Sequence, residues 1–241
     1  MIPIGDDNSG HTRKPFVNYI LIVINILVFI FLQGSGGNEQ FTYAYSTVPA
    51  EIIEGRDIST GFLAPTPIPV YGTLITSMFM HGGWAHLLGN MLYLWIFGDN
   101  LENRLGHSKY LIFYLLCGII ASLSHVFATS AFSPQHMEIP SLGASGAISG
   151  VMGGYLLLFP KNRVNVFLFR GIIPVPAFVA LGFWIVFQII SGMGMLGGEQ
   201  QGGGGVAYAA HVGGFIAGLV LIKLFAGKAP AEVRRRSFFG R

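Results

Sequence analysis

The stretch from Tyr110 to Ala131 reads YLIFYLLCGIIASLSHVFATSA, 22 residues without an Asp, Glu, Lys or Arg. A helix rises about 1.5 Å per residue, so a run of this length spans the roughly 30 Å hydrocarbon core of a bilayer. Backbone polar groups find no water there, and the run lacks the period-2 alternation of a barrel strand. The stretch therefore predicts a membrane-spanning helix.

Five further charge-free apolar runs give the chain its overall character. Hydrophobic residues make up 52% of the 241 and charged residues only 10%, and the mean hydropathy is +0.59, far from the composition of a soluble domain. The predicted helices cover residues 16–32, 74–98, 110–131, 145–160, 172–190 and 206–223. We predict an all-α membrane protein with one six-helix domain over residues 1–241, a short N-terminal tail at 1–15 and a basic tail at 224–241.

The basic residues predict the orientation of the chain. With the N-terminus in the cytoplasm, 13 of the 14 Lys and Arg residues fall on the cytoplasmic side together with both tails, as the positive-inside rule expects. The net charge of +3 then reflects orientation, and membrane lipid, not nucleic acid, is the expected partner of the basic tail. The short tails, without an added soluble domain, favour a bacterial cytoplasmic membrane. No oligomeric state follows from the sequence.

Two loops on the outer side are unusual. The first, at about 33–71, mixes polar and apolar residues and is expected to pack on the membrane face. The second, at 191–205, reads SGMGMLGGEQQGGGG, which is compatible both with a mobile gate and with a plain flexible linker.

Small residues recur at four-residue spacing in the fourth and sixth predicted helices. These residues are Gly146, Gly150 and Gly154 in the fourth, and Ala210, Gly214 and Gly218 in the sixth. A stripe of small residues lets two helices approach closely in lipid, so the two stripes are candidates to face each other.

Polar side chains within the predicted spans are costly to bury and are candidates for function. They are His81, His86, Asn90, His125, Ser145, Ser149 and His211. No span contains a carboxylate, which argues against an aspartyl protease or a proton-driven transporter. His81 and His86 are five residues apart with no Glu between them, so the HExxH zinc motif is absent. We expect neither a metal nor a cofactor, and we assign His125 and Ser149 to helix packing.

Helix rise places three of these residues at one depth. His86, Ser145 and His211 lie about 18–22 Å from the inner ends of their predicted helices, in the outer half of the bilayer. Ser145 sits between Gly143 and Gly146, which allow a sharp turn and leave its hydroxyl near a helix N-terminus, where free N–H groups can stabilise an oxyanion.

A serine at this place needs a base to act as a nucleophile and hydrogen-bond donors to stabilise the oxyanion that forms. His211, on the small-residue face of the sixth helix, is the histidine able to approach it. His86 and Asn90 are four residues apart, hence on one helix face, and both offer N–H donors. The residues therefore predict a Ser-His catalytic site open to the outer side.

Four motifs together resemble one protein family. HGGWAHLLGNMLYLWIFG (81–98), ENRLG (102–106), GASGAISG (143–150) and AHVGGFIAG (210–218) are similar to the rhomboid intramembrane serine proteases in order and spacing. The resemblance implies a six-transmembrane-helix rhomboid bundle. It also implies that the glycine-rich loop is a mobile cap beside the fifth helix, where substrate enters.

The resemblance assigns roles to the residues that match these motifs. Ser145 matches the nucleophile and His211 the general base, as a dyad without a carboxylate. His86 and Asn90, with the backbone N–H of Ser145, match the oxyanion-stabilising groups.

The remaining matches are structural. His81 matches a residue that ties the first loop to the second helix, and Glu102 and Arg104 match a structural pair in an inner loop. Gly214 matches the contact between the sixth and fourth helices. Ser149 departs from the pattern, because rhomboids often carry there an aromatic ring that stacks on the histidine. His211 must then be held by another contact, or is held less firmly.

The expected function is hydrolysis of a peptide bond in a single-pass membrane protein near the outer face. Because helical backbone resists attack, the substrate segment should contain helix-breaking residues and a small residue before the cut. The alternative is a non-catalytic relative that binds membrane clients, although such relatives usually lack the Ser or the His. A channel or transporter is disfavoured because the spans carry no charge.

Overall fold

The computed structural model of the chain describes residues 2–59, 64–168, 171–196 and 208–227. The loop at 191–205, interpreted as either a gate or a flexible linker, and the basic tail at 224–241 fall largely outside the described residues. Within them the chain is mostly helical, as predicted.

Helix is found within every predicted run. The helices are α1 (Phe16–Leu27), which a π-helical turn extends to Leu32, α2 (Glu39–Ala44), α3 (Pro49–Glu54), α4 (Thr73–Thr76), α5 (Trp84–Leu105), α6 (His107–Phe132), α7 (Ser145–Leu158), α8 (Ala177–Leu196) and α9 (Tyr208–Phe225). Among the described residues, α6 and α9 are long and apolar enough to cross a bilayer. Shorter apolar helical stretches occupy Phe16–Leu32, Val70–Phe79, Ser145–Leu158 and Ala177–Met193.

The second predicted helix, 74–98, is not continuous. It is divided into α4 with flanking 3-10 turns and the long helix α5, which begins only at Trp84. The break falls at Met80–Gly83, where Met80 is extended and two consecutive glycines disfavour helix. His81 therefore lies before the helix and not on it, which corrects the prediction.

The first loop packs against the bundle, and its expected place on the membrane face stays a prediction. Helices α2 and α3 lie in it, and Ile52 of α3 is 6% exposed in a cluster with Leu74 and Val126 of α6. The backbone N–H of Ala50 also donates to the carbonyl of Met137, which joins this loop to the segment after α6.

A three-stranded antiparallel sheet was not predicted and corrects the all-α assignment. Strands β1 (Ile2–Asp6), β2 (Arg163–Leu168) and β3 (Gly171–Pro176) lie in the order β1-β2-β3. The predicted fifth helix began at residue 172, but Pro174 and Pro176 lack the N–H that a helix interior needs. Proline is tolerated on an edge strand, which β3 is. The sheet joins the N-terminal tail to the start of α8.

A polar network fixes β1 to the end of the bundle opposite Ser145. The Asp6 carboxylate accepts hydrogen bonds from the Tyr155 hydroxyl (2.6 Å) and the Asn100 amide (2.7 Å), and the Asn8 amide donates to Asp99. Burial raises the pKa of Asp6 to about 7, and the neighbouring Asp99 and Asp7 add to the rise. The native fold thus favours the protonated form of Asp6 below neutral pH.

Helix α7 lies at the centre of the bundle, in contact with α5, α6 and α9. Its small residues leave no room for side chains at these contacts: a Cβ at Gly150 would lie 2.3 Å from Cβ of Cys117, and one at Gly153 would lie 2.3 Å from the carbonyl oxygen of Phe215. Such close backbone approach is the packing expected of helices in lipid. It fixes the first residue of α7, Ser145, against α9.

Candidate active site

Ser145 is the first residue of α7, and a constrained loop places it there. Gly143 has φ +123°, a conformation that favours glycine, and its N–H donates to the carbonyl of Ser77 (2.9 Å). Just before it, Ser141 pairs with Thr47 of the first loop. As the first residue of a helix, Ser145 has a backbone N–H without an intrahelical acceptor.

His211 lies on α9 and reaches Ser145 directly. Its Nε2 is 2.8 Å from the Ser145 Oγ, and both residues are partly buried. The structure thus brings together the two side chains that the sequence paired across 66 residues.

The small-residue stripes account for this approach. A Cβ at Gly214 would lie 2.1 Å from the carbonyl oxygen of Gly146, and one at Gly218 would lie 2.0 Å from that of Gly150. The prediction that the two stripes face each other is confirmed. Gly214 is three residues from His211, so this contact sets the distance between imidazole and hydroxyl.

The second ring nitrogen of His211 also has a partner. Its Nδ1 lies 2.8 Å from Oε1 of Gln188 on α8, and the Trp184 ring, one turn earlier, lies 5.9 Å from the imidazole between centroids. Ser149 is fully buried and donates to the carbonyl of Ser145 (2.6 Å), as the packing assignment expects. The contact that holds His211 therefore comes from α8.

Gln188 and Trp184 were not predicted from the sequence as residues of the site. Gln188 is an amide within an otherwise apolar run and is only 7% exposed. An amide in such a run is costly to bury unless it has a hydrogen-bond partner, and this was the signal in the sequence. The sequence alone did not reveal that the partner is His211.

His86 and Asn90 lie on α5, one turn apart, and face the loop before Ser145. The N–H of Gly82 donates to the His86 Nδ1 (3.3 Å), so the proton of the neutral ring sits on Nε2. A Cβ at Gly143 would lie 2.9 Å from that Nε2 and 3.7 Å from the Asn90 Nδ2. Both donors thus border one space beside Gly143, two residues before Ser145.

Comparison with known proteins assigns the chain to a family. The family model described as "Rhomboid domain" matches residues 70–228. The chain belongs to the rhomboid family. A rhomboid domain is a membrane domain, so this is an integral membrane protein.

Two similar proteins illustrate the range of this rhomboid's relatives. "Rhomboid protein 1, mitochondrial" of Saccharomyces cerevisiae is 36% identical over 168 residues, which are 68% of this chain and 44% of the yeast protein. "Rhomboid protease GluP" of Bacillus subtilis is 33% identical over 186 residues, 77% of this chain and 33% of that protein. The matches span less than half the length of either relative.

His81 of this rhomboid links the first loop to α5. Its backbone N–H donates to the side chain of Gln33 (2.9 Å), whose amide donates back to the His81 carbonyl (3.0 Å). Its ring is almost fully buried, with Nε2 3.0 Å from the Asn90 Nδ2. One amide N–H of Asn90 is therefore held by His81, which leaves the other for a ligand.

Glu102 and Arg104 are not the pair in an inner loop that we predicted. Both lie within α5, which continues to Leu105. The buried Glu102 carboxylate accepts the backbone N–H groups of Val17 (2.9 Å) and Asn18 (2.7 Å) and contacts His107. In the described part of the chain, Arg104 is not among its partners. Glu102 caps the start of α1.

Across the described residues, no three His, Cys, Asp or Glu side chains are grouped closely enough to hold a metal ion. The site presents a hydroxyl, imidazoles and amides. These groups suit nucleophilic attack on a carbonyl.

Proposed function

We propose that this rhomboid is an intramembrane serine endopeptidase that cuts transmembrane segments of single-pass membrane proteins near the outer face. The observation that carries the proposal is the 2.8 Å separation between the Ser145 Oγ and the His211 Nε2. Nucleophile and base within hydrogen-bond reach, with the base oriented by a third group, is the arrangement that activates a serine.

The reaction follows from this geometry. The Ser145 Oγ attacks the substrate carbonyl while the His211 Nε2 takes its proton. The imidazolium then gives that proton to the leaving amine, which leaves an acyl-enzyme. Water, deprotonated by the same nitrogen, releases the acid and restores the serine.

The oxyanion of the tetrahedral intermediate is assigned to three donors: the His86 Nε2–H, an Asn90 amide N–H and the backbone N–H of Ser145. In comparable acyl-transfer sites, loss of one such donor costs about 3 kcal/mol of transition-state stabilisation. The bare Cα of Gly143 leaves the space that the oxyanion needs, because a side chain there would meet His86 at 2.8 Å.

The substrate residue before the cut is proposed to be small. A cavity of about 20 Å³ beside Ser145 is lined by Met78, Gly118, Ala121 and Ala147, among others. This volume holds little more than one water molecule, whose minimum is roughly 10–15 Å³. A methyl group fits such a cavity, whereas an aromatic ring does not.

The membrane arrangement is proposed to be six spans with both termini in the cytoplasm, since the basic residues favour that side. In support, β1 at the N-terminus pairs with β2 after α7, so the two segments share one end of the bundle. The bacterial cytoplasmic membrane stays a prediction, because the similar proteins include one named as mitochondrial and one of a bacterium.

The test is cleavage of a fluorescent transmembrane substrate by purified protein in liposomes. The wild type should cut it, and Ser145→Ala and His211→Ala should each abolish cleavage while remaining folded. Retained cleavage in either variant would exclude the dyad. Binding without cleavage by the wild type would favour a client-binding role.

A further inference from the structure

Gln188 completes a chain of three polar side chains across three helices. The Gln188 Oε1 on α8 lies 2.8 Å from the His211 Nδ1 on α9, and the His211 Nε2 lies 2.8 Å from the Ser145 Oγ on α7. The amide is 7% exposed, so water competes little for it. The imidazole is thus bonded on both nitrogens.

The chemistry of the amide oxygen determines the state of the ring. With the amide oxygen directed at the ring, as it is in the structure, a carbonyl oxygen only accepts, so the His211 Nδ1 carries the proton and Nε2 carries the lone pair. That is the tautomer in which Nε2 can remove a proton from Ser145. The opposite tautomer would direct an N–H at the hydroxyl and could not act as a base.

Packing alone does not explain a glutamine at this position. Gln188 borders a cavity of about 300 Å³ between α5 and α8, whose other lining residues include Phe97, Leu181 and Phe187. Leu or Met would suit these apolar surroundings better, because burying an amide without a partner is costly. The hydrogen bond to His211 offsets this cost.

We propose that Gln188 is a positioning residue that fixes the tautomer and orientation of the catalytic imidazole. The expected effect on catalysis rests on the proposed function, whereas the expected tautomer of His211 does not. The neutral amide accepts the hydrogen bond from the His211 Nδ1–H at a smaller desolvation cost than the carboxylate of a Ser-His-Asp triad would have within the membrane.

The first test reads the tautomer without any turnover. In protein labelled with [15N]histidine, the ring nitrogen shifts of His211, assigned by their loss in His211→Ala, should show a protonated Nδ1. In Gln188→Met, which keeps the side-chain length, the population should shift towards the Nε2–H form. A wild-type ring protonated on Nε2, or a tautomer unchanged in Gln188→Met, would overturn the proposal.

The second test is kinetic. Gln188→Met should lower kcat by about 10- to 100-fold with little change in KM, because a bond that orients the base is lost while substrate contacts remain. Gln188→Glu keeps an acceptor, so it should be more active than Gln188→Met. Its negative charge should move the acidic limb of the pH–rate profile to higher pH.

Ile190→Met is the matched control, since Ile190 lies on the same helix and is 64% exposed; it should match the wild type in rate and thermal midpoint. Equal losses in the Met and Glu variants, accompanied by a lower thermal midpoint, would assign Gln188 to packing and refute the positioning role. A wild type that shows the Nδ1–H tautomer but no cleavage would refute the protease proposal and leave the tautomer assignment standing.

Discussion

Replacing Gly214 by Ala should separate the dyad with a single methyl group. The new Cβ would lie 2.1 Å from the carbonyl oxygen of Gly146, and ordinary van der Waals contact begins at 3.4 Å, so the helices must part by about 1.3 Å. If α9 moves as a unit, the 2.8 Å bond between the Ser145 Oγ and the His211 Nε2 lengthens to about 4 Å, beyond hydrogen-bond range. A misplacement of this size costs roughly 100-fold in rate.

The assay for this variant is cleavage of a transmembrane substrate in liposomes, together with thermal unfolding in detergent. We expect kcat to fall about 100-fold and the free energy of unfolding to fall by about 1–3 kcal/mol, the usual cost of overpacking. Gly182→Ala on α8 is the control, because nothing lies within 4 Å of its Cβ; it should keep full activity. Full activity in Gly214→Ala would refute the view that this contact sets the dyad distance.

Three further substitutions test other parts of the structure. Trp184→Ala should lower kcat about 3- to 10-fold in steady-state kinetics, because an aromatic contact with His211 worth about 0.5–1.5 kcal/mol is lost. An unchanged kcat would exclude a role for the Trp184 ring in holding His211. The folded-state pKa of Asp6, about 7, exceeds the ordinary value of about 3.9. The stability that protonated Asp6 contributes to the fold is therefore complete below pH 4 and is lost as the pH rises through 7. The thermal midpoint should fall as the pH rises over that window in the wild type and should change less with pH in Asp6→Asn. The same pH dependence in both proteins would contradict this. Glu102→Ala should cost about 3 kcal/mol of unfolding free energy in denaturation experiments, because two N–H groups at the start of α1 lose a charged acceptor; a loss below 1 kcal/mol would contradict its role as a cap.

The parts of the fold that follow from one physical rule were predictable from the sequence. Charge-free runs must be helical in lipid, and helix was found within each of them. Small residues at four-residue spacing permit close approach, and Gly214 and Gly218 do contact the α7 backbone. Ser145 directly precedes Gly146 and His211 directly follows Ala210, so the contact between the two stripes also brings these side chains together.

The parts that depend on competition between local and long-range interactions were not predictable. The apolar run through Met80 hides a helix break, because hydropathy does not register that Gln33 binds the backbone of His81. The sheet was missed because β2 is only six residues long, and its partner β1 is more than 150 residues away. Gln188 was missed for a similar reason, since only the fold shows what an amide in an apolar helix bonds.

The most direct test of the Ser145–His211 dyad is covalent labelling of the nucleophile. Folded wild-type protein in lipid nanodiscs would be treated with a fluorophosphonate, and the modified residue would be located by tandem mass spectrometry. We predict a single adduct on Ser145 that is absent when His211 is replaced by Ala. A folded wild type that acquires no adduct, or equally rapid labelling without His211, would contradict a Ser145–His211 dyad.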